Sequence, residues 1–294
     1  MRRGAPLLAV VLLAVVPSVA RADGVTPAPA KKPGGAAETA KETSIRWATY
    51  FSEACDEASE RNVPILLHSL GGTYGHGKTL SWPAFRDPAY VRWANDVTVH
   101  VLAYSFEKDA KKPEPTVEVD RDGTKTTVLA AYPMFTPAEM ESLLGEIGRC
   151  LTYPMKTPWV GVLKPDGKQV LVEVSGVMAK DFRAAYEAGQ KKIGTPLDRP
   201  TWVKIRAALK TSMDAEVSGE WGKAVTAALE AKAAAKAVPA PLAEAVEGRL
   251  GTLVQAGQQR LSDARKSKSP EAAAKAEAKV REEFAGLPGF DAAK

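Results

Sequence analysis

Residues 66–85, LLHSLGGTYGHGKTLSWPAF, join a short apolar run to a glycine-rich elbow and then to a helix-like pattern. The apolar run extends back to Val63 and predicts a strand that is buried on both faces of a sheet. The segment Gly72–Thr79 matches the pattern GxxxxGK[ST], in which backbone N–H groups and a lysine hold a nucleotide phosphate. Nucleotide binding is therefore one interpretation of this stretch.

Patterns on both sides of the elbow predict alternating helices and strands. Apolar residues recur at helical spacing over 44–61, which predicts a helix with Ser44 as its cap. Further helices are predicted over 80–94, 136–151 and 180–192, and strands over 63–70, 97–104, 159–163 and 169–175. Helix-linked strands that end in a hairpin predict an α/β fold, a mixed sheet with helices on both faces.

Two turn signals in the predicted α/β region indicate β-hairpins. A charged segment with prolines covers about 105–135, and its turn residues Asp120–Gly123 lie between β-branched stretches. This pattern predicts an inserted hairpin on a long loop. A second turn at Lys164–Lys168 predicts that the strands on either side of it pair as a hairpin.

From residue 195 onward the strand patterns stop, and the sequence predicts an all-α domain over 195–294. Ala, Leu, Lys and Glu dominate this part. Helices are predicted near 199–217, 219–236, 240–265 and 270–285, with glycine or proline between them. Two helical pairs would bury their Leu, Val and Ala stripes against each other.

The first 43 residues are predicted to lie outside the fold. Residues 1–22 have the charged start, short apolar stretch and small-residue cleavage site of a signal peptide. We therefore expect an extracytoplasmic protein, periplasmic or secreted. Residues 23–43 have the composition of a disordered linker. No later apolar run is long enough to span a bilayer, so we expect no stable membrane insertion.

The charge of the chain favours no polyanionic partner. There are 40 Lys and Arg residues against 35 Asp and Glu residues, and part of the excess lies in the first 43 residues. No segment combines clustered positive charge with interleaved aromatic residues. We therefore predict no nucleic-acid binding.

The order of these elements resembles the thioredoxin-like family, in particular its exported members. The stretch from Trp47 to Leu67 is similar to the opening helix and first core strand of that family. Thr157-Pro158, ahead of a strand, resembles its cis-proline step, and Pro165–Gly167 resembles its usual hairpin turn. The resemblance covers about 44–192 and implies a thioredoxin-like domain over 44–194.

The sequence departs from that family at the redox motif Trp-Cys-x-x-Cys-Lys. Dithiol exchange needs a reactive thiolate and a second thiol that resolves the mixed disulfide. Both sulfurs are missing here, so no catalytic residue and no cofactor is predicted. The resemblance implies instead a candidate peptide-binding surface at Tyr74, Gly75, Thr157 and Pro158, the last as the cis-proline candidate. The degenerate redox-motif positions are Tyr74, Gly75, His76, Gly77 and Lys78.

Two cysteines lie elsewhere: Cys55 is close to the apolar stripe of the first helix of this region, and Cys150 is on the stripe of the third. In a thioredoxin-like fold those helices pack on the same face of the sheet. The resemblance and the oxidising compartment together imply a structural disulfide between Cys55 and Cys150. The alternatives are two buried free thiols, or a thiol–disulfide oxidoreductase that uses Cys55 or Cys150.

Three histidines raise the question of a metal site. His68 and His100 lie on strands predicted to be adjacent, in similar phase, and His76 lies at the elbow. Converging imidazoles can hold zinc or copper. No CxxC or carboxylate cluster completes a coordination shell, so we predict packed or surface histidines and no metal site.

The sequence as a whole predicts an exported thioredoxin-like protein that lacks the redox dithiol. Its predicted function is non-catalytic binding of a protein or peptide partner. The oxidoreductase function and nucleotide binding at Gly72–Thr79 are the two alternatives.

Overall fold

The computed structural model describes residues 44–71, 83–105, 115–153, 159–174, 176, 178–267 and 269–290. The strands are β1 (Ile65–Gly71), β2 (Val99–Ser105), β3 (Thr116–Arg121), β4 (Thr124–Leu129), β5 (Trp159–Leu163) and β6 (Val170–Glu173). The helices are α1 (Phe51–Arg61), α2 (Pro83–Arg86), α3 (Pro88–Val97), α4 (Pro137–Cys150), α5 (Ala179–Ile193), α6 (Arg199–Val217), α7 (Trp221–Ala234), α8 (Ala240–Arg265) and α9 (Pro270–Glu283).

Four strands form a mixed sheet in the order β2-β1-β5-β6. β1 pairs in parallel with β2 and antiparallel with β5, and β6 pairs antiparallel with β5. Helices α1 and α4 cover one face, and α2, α3 and α5 cover the other, each with its own apolar core. The mixed sheet with helices on both faces that the sequence predicts is confirmed.

The first helix starts later than predicted. α1 begins at Phe51, so Ser44 is not its cap. Residues before it are held extended: the Arg46 N–H donates to Asn95 Oδ1 at 2.8 Å, and Ala48 N–H donates to the His100 carbonyl at 2.9 Å. Backbone groups committed to these distant partners cannot form the first turn of a helix.

The predicted helix over 80–94 is also corrected, because its described part consists of two helices. Asp87 separates α2 from α3, and its side chain accepts a hydrogen bond from Ala89 N–H at 2.9 Å. Pro88 takes the first position of α3, where its missing N–H costs nothing. The Asp-Pro pair therefore ends one helix and begins the next.

Both predicted hairpins are present. β3 and β4 form a separate two-stranded sheet whose turn residues Asp122 and Gly123 have φ values of 52° and 82°. Left-handed conformations at both positions are typical of the tight turns that suit twisted strands. The β5–β6 hairpin has Gly167 at φ 70° in its turn.

The helical part has a third apolar core of its own. Helices α6 and α8 have the bounds that the sequence predicts, and α7 and α9 differ by a few residues at their ends. α6 packs with α7, and α8 packs with α9. After α9 the chain folds back, so that Phe284 and Phe290 lie directly over Gly257 of α8.

The α/β part and the helical part form one compact unit. Glu60 of α1 joins them, because its carboxylate accepts from Trp202 Nε1 and pairs with Arg206, both at 2.7 Å. The Leu197 N–H adds a backbone hydrogen bond to the Arg61 carbonyl at 2.7 Å. Among the described residues, no helix combines the length and apolar character that crossing a bilayer requires.

Candidate functional site

The residues predicted to bind a peptide lie outside the described part of the chain. These are the degenerate redox-motif positions Tyr74–Lys78, together with Thr157 and Pro158. The described elements next to them are β1, which ends at Gly71, α2, which begins at Pro83, and β5, which begins at Trp159. The predicted surface at the elbow therefore stays a prediction.

Two of the three histidines meet in the core, whereas His76 lies outside the described residues. His68 Nε2 lies 3.1 Å from His100 Nδ1, and the rings are nearly parallel. Both side chains are buried. Their contact follows from the pairing of β1 with β2, in which Leu66 lies opposite His100. His68 is two residues after Leu66, so its side chain lies on the same face of the sheet as those of Leu66 and His100.

Aromatic rings enclose the histidine pair. Trp47 lies 5.2 Å from the His68 ring and 5.7 Å from the His100 ring, and Phe85 and Phe182 also contact His68. Burial lowers the pKa of His68 to about 3 and holds the pKa of His100 well below its ordinary value. The pair is therefore a neutral N–H···N contact at neutral pH.

A metal would need further ligands at this pair. Zinc takes four ligands, and the histidine pair offers two nitrogens. In the part of the chain that the structure describes, no group of three or more His, Cys, Asp or Glu side chains is placed to hold a metal ion. The arrangement fits a packed core pair better than a coordination site.

The two cysteines are free thiols in the structure, and the disulfide stays a prediction. Cys55 is half-buried in α1, whereas Cys150, the last residue of α4, is exposed instead of lying on the buried stripe. Burial, followed by the negative charge of Cys150 and nearby carboxylates, raises the pKa of Cys55 to about 12. Cys55 is therefore almost entirely protonated at neutral pH.

An open groove runs beside β6, the last strand of the sheet. It has a volume of about 410 Å³. Tyr153 forms part of its wall, and its ring stacks on Trp159 with centroids 5.5 Å apart. The Tyr153 hydroxyl donates a hydrogen bond to the Glu173 carboxylate. The residues that line the groove are Thr152, Tyr153 and residues 168–173.

The groove is bordered by backbone groups that do not bond to β5. Val174 N–H donates to the Val160 carbonyl at 3.0 Å, and bonded and non-bonded pairs alternate along antiparallel strands. Glu173, opposite Gly161, is therefore a non-bonded position whose N–H and C=O point away from β5. These groups are therefore directed away from the sheet, at its edge.

Two lysines carry positive charge at the groove, and two carboxylates, Glu173 and Asp166 of the neighbouring turn, carry negative charge. Lys168 lines the groove and is exposed, and the Lys192 ammonium donates to the Leu171 carbonyl at 2.8 Å. Both carboxylates are engaged: Glu173 accepts a hydrogen bond from Tyr153, and Asp166 accepts one from the Lys168 N–H at 3.0 Å. The groove is therefore suited to a partner that brings negative charge.

A second exposed surface lies on α6. Val203, Met213 and Val217 are large apolar residues with 42%, 48% and 90% of their surface exposed. Their spacing of ten and four residues places them on one side of the helix. Val203 and Met213 are about 15 Å apart along the helix, so only Met213 and Val217 adjoin each other.

No protein-family model matches the chain, and no curated protein matches it. Sequence reasoning missed the groove at β6. The signal was present, because a strand that closes a terminal hairpin often lies at the edge of its sheet.

Proposed function

We propose that the protein is an exported, non-catalytic thioredoxin-like protein that binds a protein or peptide partner. The signal peptide that the sequence predicts supports the export. The alternation of helices and strands, followed by the β5–β6 hairpin, supports the resemblance to the thioredoxin-like family. The helical part would add a second contact surface through α6.

The observation that carries the proposal is the open groove beside β6. An exposed sheet edge binds an extended peptide through main-chain hydrogen bonds, and adjacent pockets select its side chains. Here the outward backbone groups of Glu173 lie next to a groove with a stacked aromatic wall at Tyr153 and Trp159. Aromatic residues are among the strongest contributors to protein interfaces.

The environments of the two thiols favour a binding protein over the oxidoreductase alternative. A nucleophilic cysteine needs a lowered pKa, and burial raises the pKa of Cys55 to about 12. Cys150 is exposed at the end of α4, and α4 presents its C-terminus, not its N-terminus, to this thiol. Insulin reduction that disappears in the Cys55→Ser/Cys150→Ser variant would favour the enzyme over a binding protein.

Nucleotide binding rests on Gly72–Thr79, which lies outside the described residues. The sequence argument against it is that the strand over 97–104 does not end in an aspartate to hold magnesium. A titration of the purified protein with ATP and magnesium tests it, because binding would raise the melting temperature.

Site-specific photocrosslinking tests the proposed function. A photoreactive amino acid at Gln169, in the groove, should capture a defined protein in the extracytoplasmic fraction. The same amino acid at exposed Glu271 on α9 is the matched control. A product that forms at Gln169 alone, and whose purified partner binds the full chain, supports the proposal; equal capture at both positions contradicts it.

A further inference from the structure

We propose that the edge of β6 binds an extended acidic segment of its partner by strand addition, with Lys192 as a movable cover over that edge. The inference rests on the proposed function and specifies the mode of binding and the chemistry of the partner. It concerns a surface different from the elbow, where the resemblance to the thioredoxin-like family places peptide binding.

The backbone geometry of β6 turns the N–H and C=O groups of two residues away from β5. Glu173 points its N–H and C=O away from β5, as the Val174–Val160 hydrogen bond requires. The Lys164 N–H donates to the Gln169 carbonyl at 2.9 Å, so Val170, opposite Leu163, also points outward. A register shift between β5 and β6 separates the two positions, so one extended chain would pair with Val170 and Glu173 on either side of a bulge.

The side chains around this edge favour a negatively charged chain. Lys168 is exposed at the start of β6, and Lys192 reaches the middle of the strand. Charge complementarity at the rim of an interface acts on encounter and on partner choice more than on total affinity. An acidic segment is therefore preferred over a basic one of the same length and β-propensity.

Lys192 occupies a place that a bound strand would take. Its ammonium donates to the Leu171 carbonyl at 2.8 Å, although the side chain is exposed. Lysines at sheet edges protect unpaired backbone groups from unwanted strand pairing. A partner strand replaces this contact with its own N–H group, and the displaced ammonium remains close enough to attract a carboxylate of the partner.

The probe is a short synthetic peptide that alternates Glu with Val and Thr, and its counterpart carries Lys in place of Glu. Both are titrated into the full-length mature chain while the backbone amides of Val170 and Glu173 are followed by NMR. We expect the acidic peptide to shift both amides and to protect the Glu173 amide from hydrogen exchange. The basic peptide should bind at least roughly threefold more weakly.

Two substitutions at one position separate backbone pairing from side-chain contact. Glu173→Pro removes the outward N–H without breaking a bond to β5, whereas Glu173→Ala removes only the carboxylate. We expect Glu173→Pro to weaken binding of the acidic peptide by roughly tenfold or more, and Glu173→Ala to retain or improve it. Lys192→Met should increase the affinity for an uncharged Val/Thr peptide, because the Leu171 carbonyl is then uncovered.

Three results would overturn strand addition: no protection of the Glu173 amide, equal binding by the acidic and basic peptides, or unchanged affinity in Glu173→Pro. Hydrogen exchange in the unsubstituted chain decides the question even if Glu173→Pro fails to fold. A failure here together with specific crosslinking at Gln169 would leave the binding function in place and reject only this mode. Failure of both would reject the function.

Discussion

Arg61 is completely buried, and its guanidinium donates to the Glu57 carboxylate at 2.7 Å, one turn earlier in α1. It also donates to the carbonyls of Asp96, at the end of α3, and Leu197, just before α6. One side chain thus connects the first helix, the opposite layer of the sheet and the start of the helical part. Burial lowers the pKa of Arg61, although Glu57 counteracts that shift.

We predict that Glu57→Ala destabilises the protein by about 3 kcal/mol, because it leaves a buried guanidinium without its counter-ion. Urea unfolding followed by circular dichroism measures the change. The matched control is Asp214→Ala, which breaks the Lys210–Asp214 pair on the exposed side of α6 and should leave the midpoint nearly unchanged. Equal effects of the two substitutions would show that the Arg61 contacts do not hold the two parts together.

Because His68 and His100 are buried, we predict that the protein loses stability in mild acid. The pKa of His68 in the folded protein is about 3, and that of His100 is also depressed, whereas unfolded histidines titrate near 6.5. Below about pH 6.5 the unfolded chain therefore binds more protons than the folded chain does. The stabilisation is present above about pH 6.5 and is lost as the pH falls, by up to about 2.7 kcal/mol per pH unit near pH 5, where the unfolded chain has bound both protons and the folded chain neither.

Unfolding by urea at a series of pH values between about 4.5 and 6.5 measures this slope. Carboxylates with a lowered pKa, such as Glu139 and Asp198, contribute to the slope only as the pH falls towards their ordinary pKa values near 4, so the upper part of this range reports the histidines. Replacing one histidine with glutamine should roughly halve the slope, and replacing both should remove it. A slope that persists in the double variant would assign the acid sensitivity to other groups.

The convergence of His68 and His100 could be predicted from the sequence, because both lie in similar phase on strands with strong β patterns. The sheet, the hairpins and the ends of α6 and α8 were predictable for the same reason: periodicity and turn residues are local signals. The start of α1 was not, since Arg46 and Ala48 are held by partners that lie about 50 residues away.

The candidate site was harder to predict than the fold. The motif Gly72–Thr79 predicts a site at the elbow. The groove at β6 depends instead on which strand lies at the edge of the sheet and on Lys192 from α5. Lys192 contacts Leu171 only because α5 packs beside β6. No spacing of residues in the sequence encodes such a contact directly, and surface grooves therefore require coordinates.

We expect the two thiols to react with alkylating agents at different rates. The disulfide that the sequence predicts should protect both cysteines until a reductant is added. After reduction, the exposed Cys150 should be accessible to iodoacetamide, and Cys55, with its pKa raised to about 12, should react far more slowly. Intact mass and peptide mapping after short labelling measure both steps.

Two outcomes would contradict these expectations separately. Labelling of Cys150 without reductant in the undenatured protein would reject the disulfide. Rapid labelling of Cys55 in the reduced, folded protein would show that the thiol is not held protonated by burial. Labelling in denaturant is the control, because both thiols should then react alike.

Two glycine substitutions should have opposite effects on stability. Gly167, in the β5–β6 turn, has φ 70°, and a Cβ there would lie 2.6 Å from Phe51 Cζ and 2.8 Å from Cys55 Sγ. Gly167→Ala therefore combines a strained backbone with a steric clash against α1, and we expect a loss of about 2 kcal/mol or more. Gly148, in α4, is exposed and would meet no atom within 4 Å.

Gly148→Ala should stabilise the protein by about 0.5–1 kcal/mol, because alanine is the better helix former. Urea unfolding of both variants measures the difference in sign. A Gly167→Ala variant as stable as the parent would mean that the hairpin turn does not pack on α1 as described, and the position of the β6 edge would then be in question as well. Because β6 follows directly from that turn, the geometry of the turn fixes where a partner strand can bind.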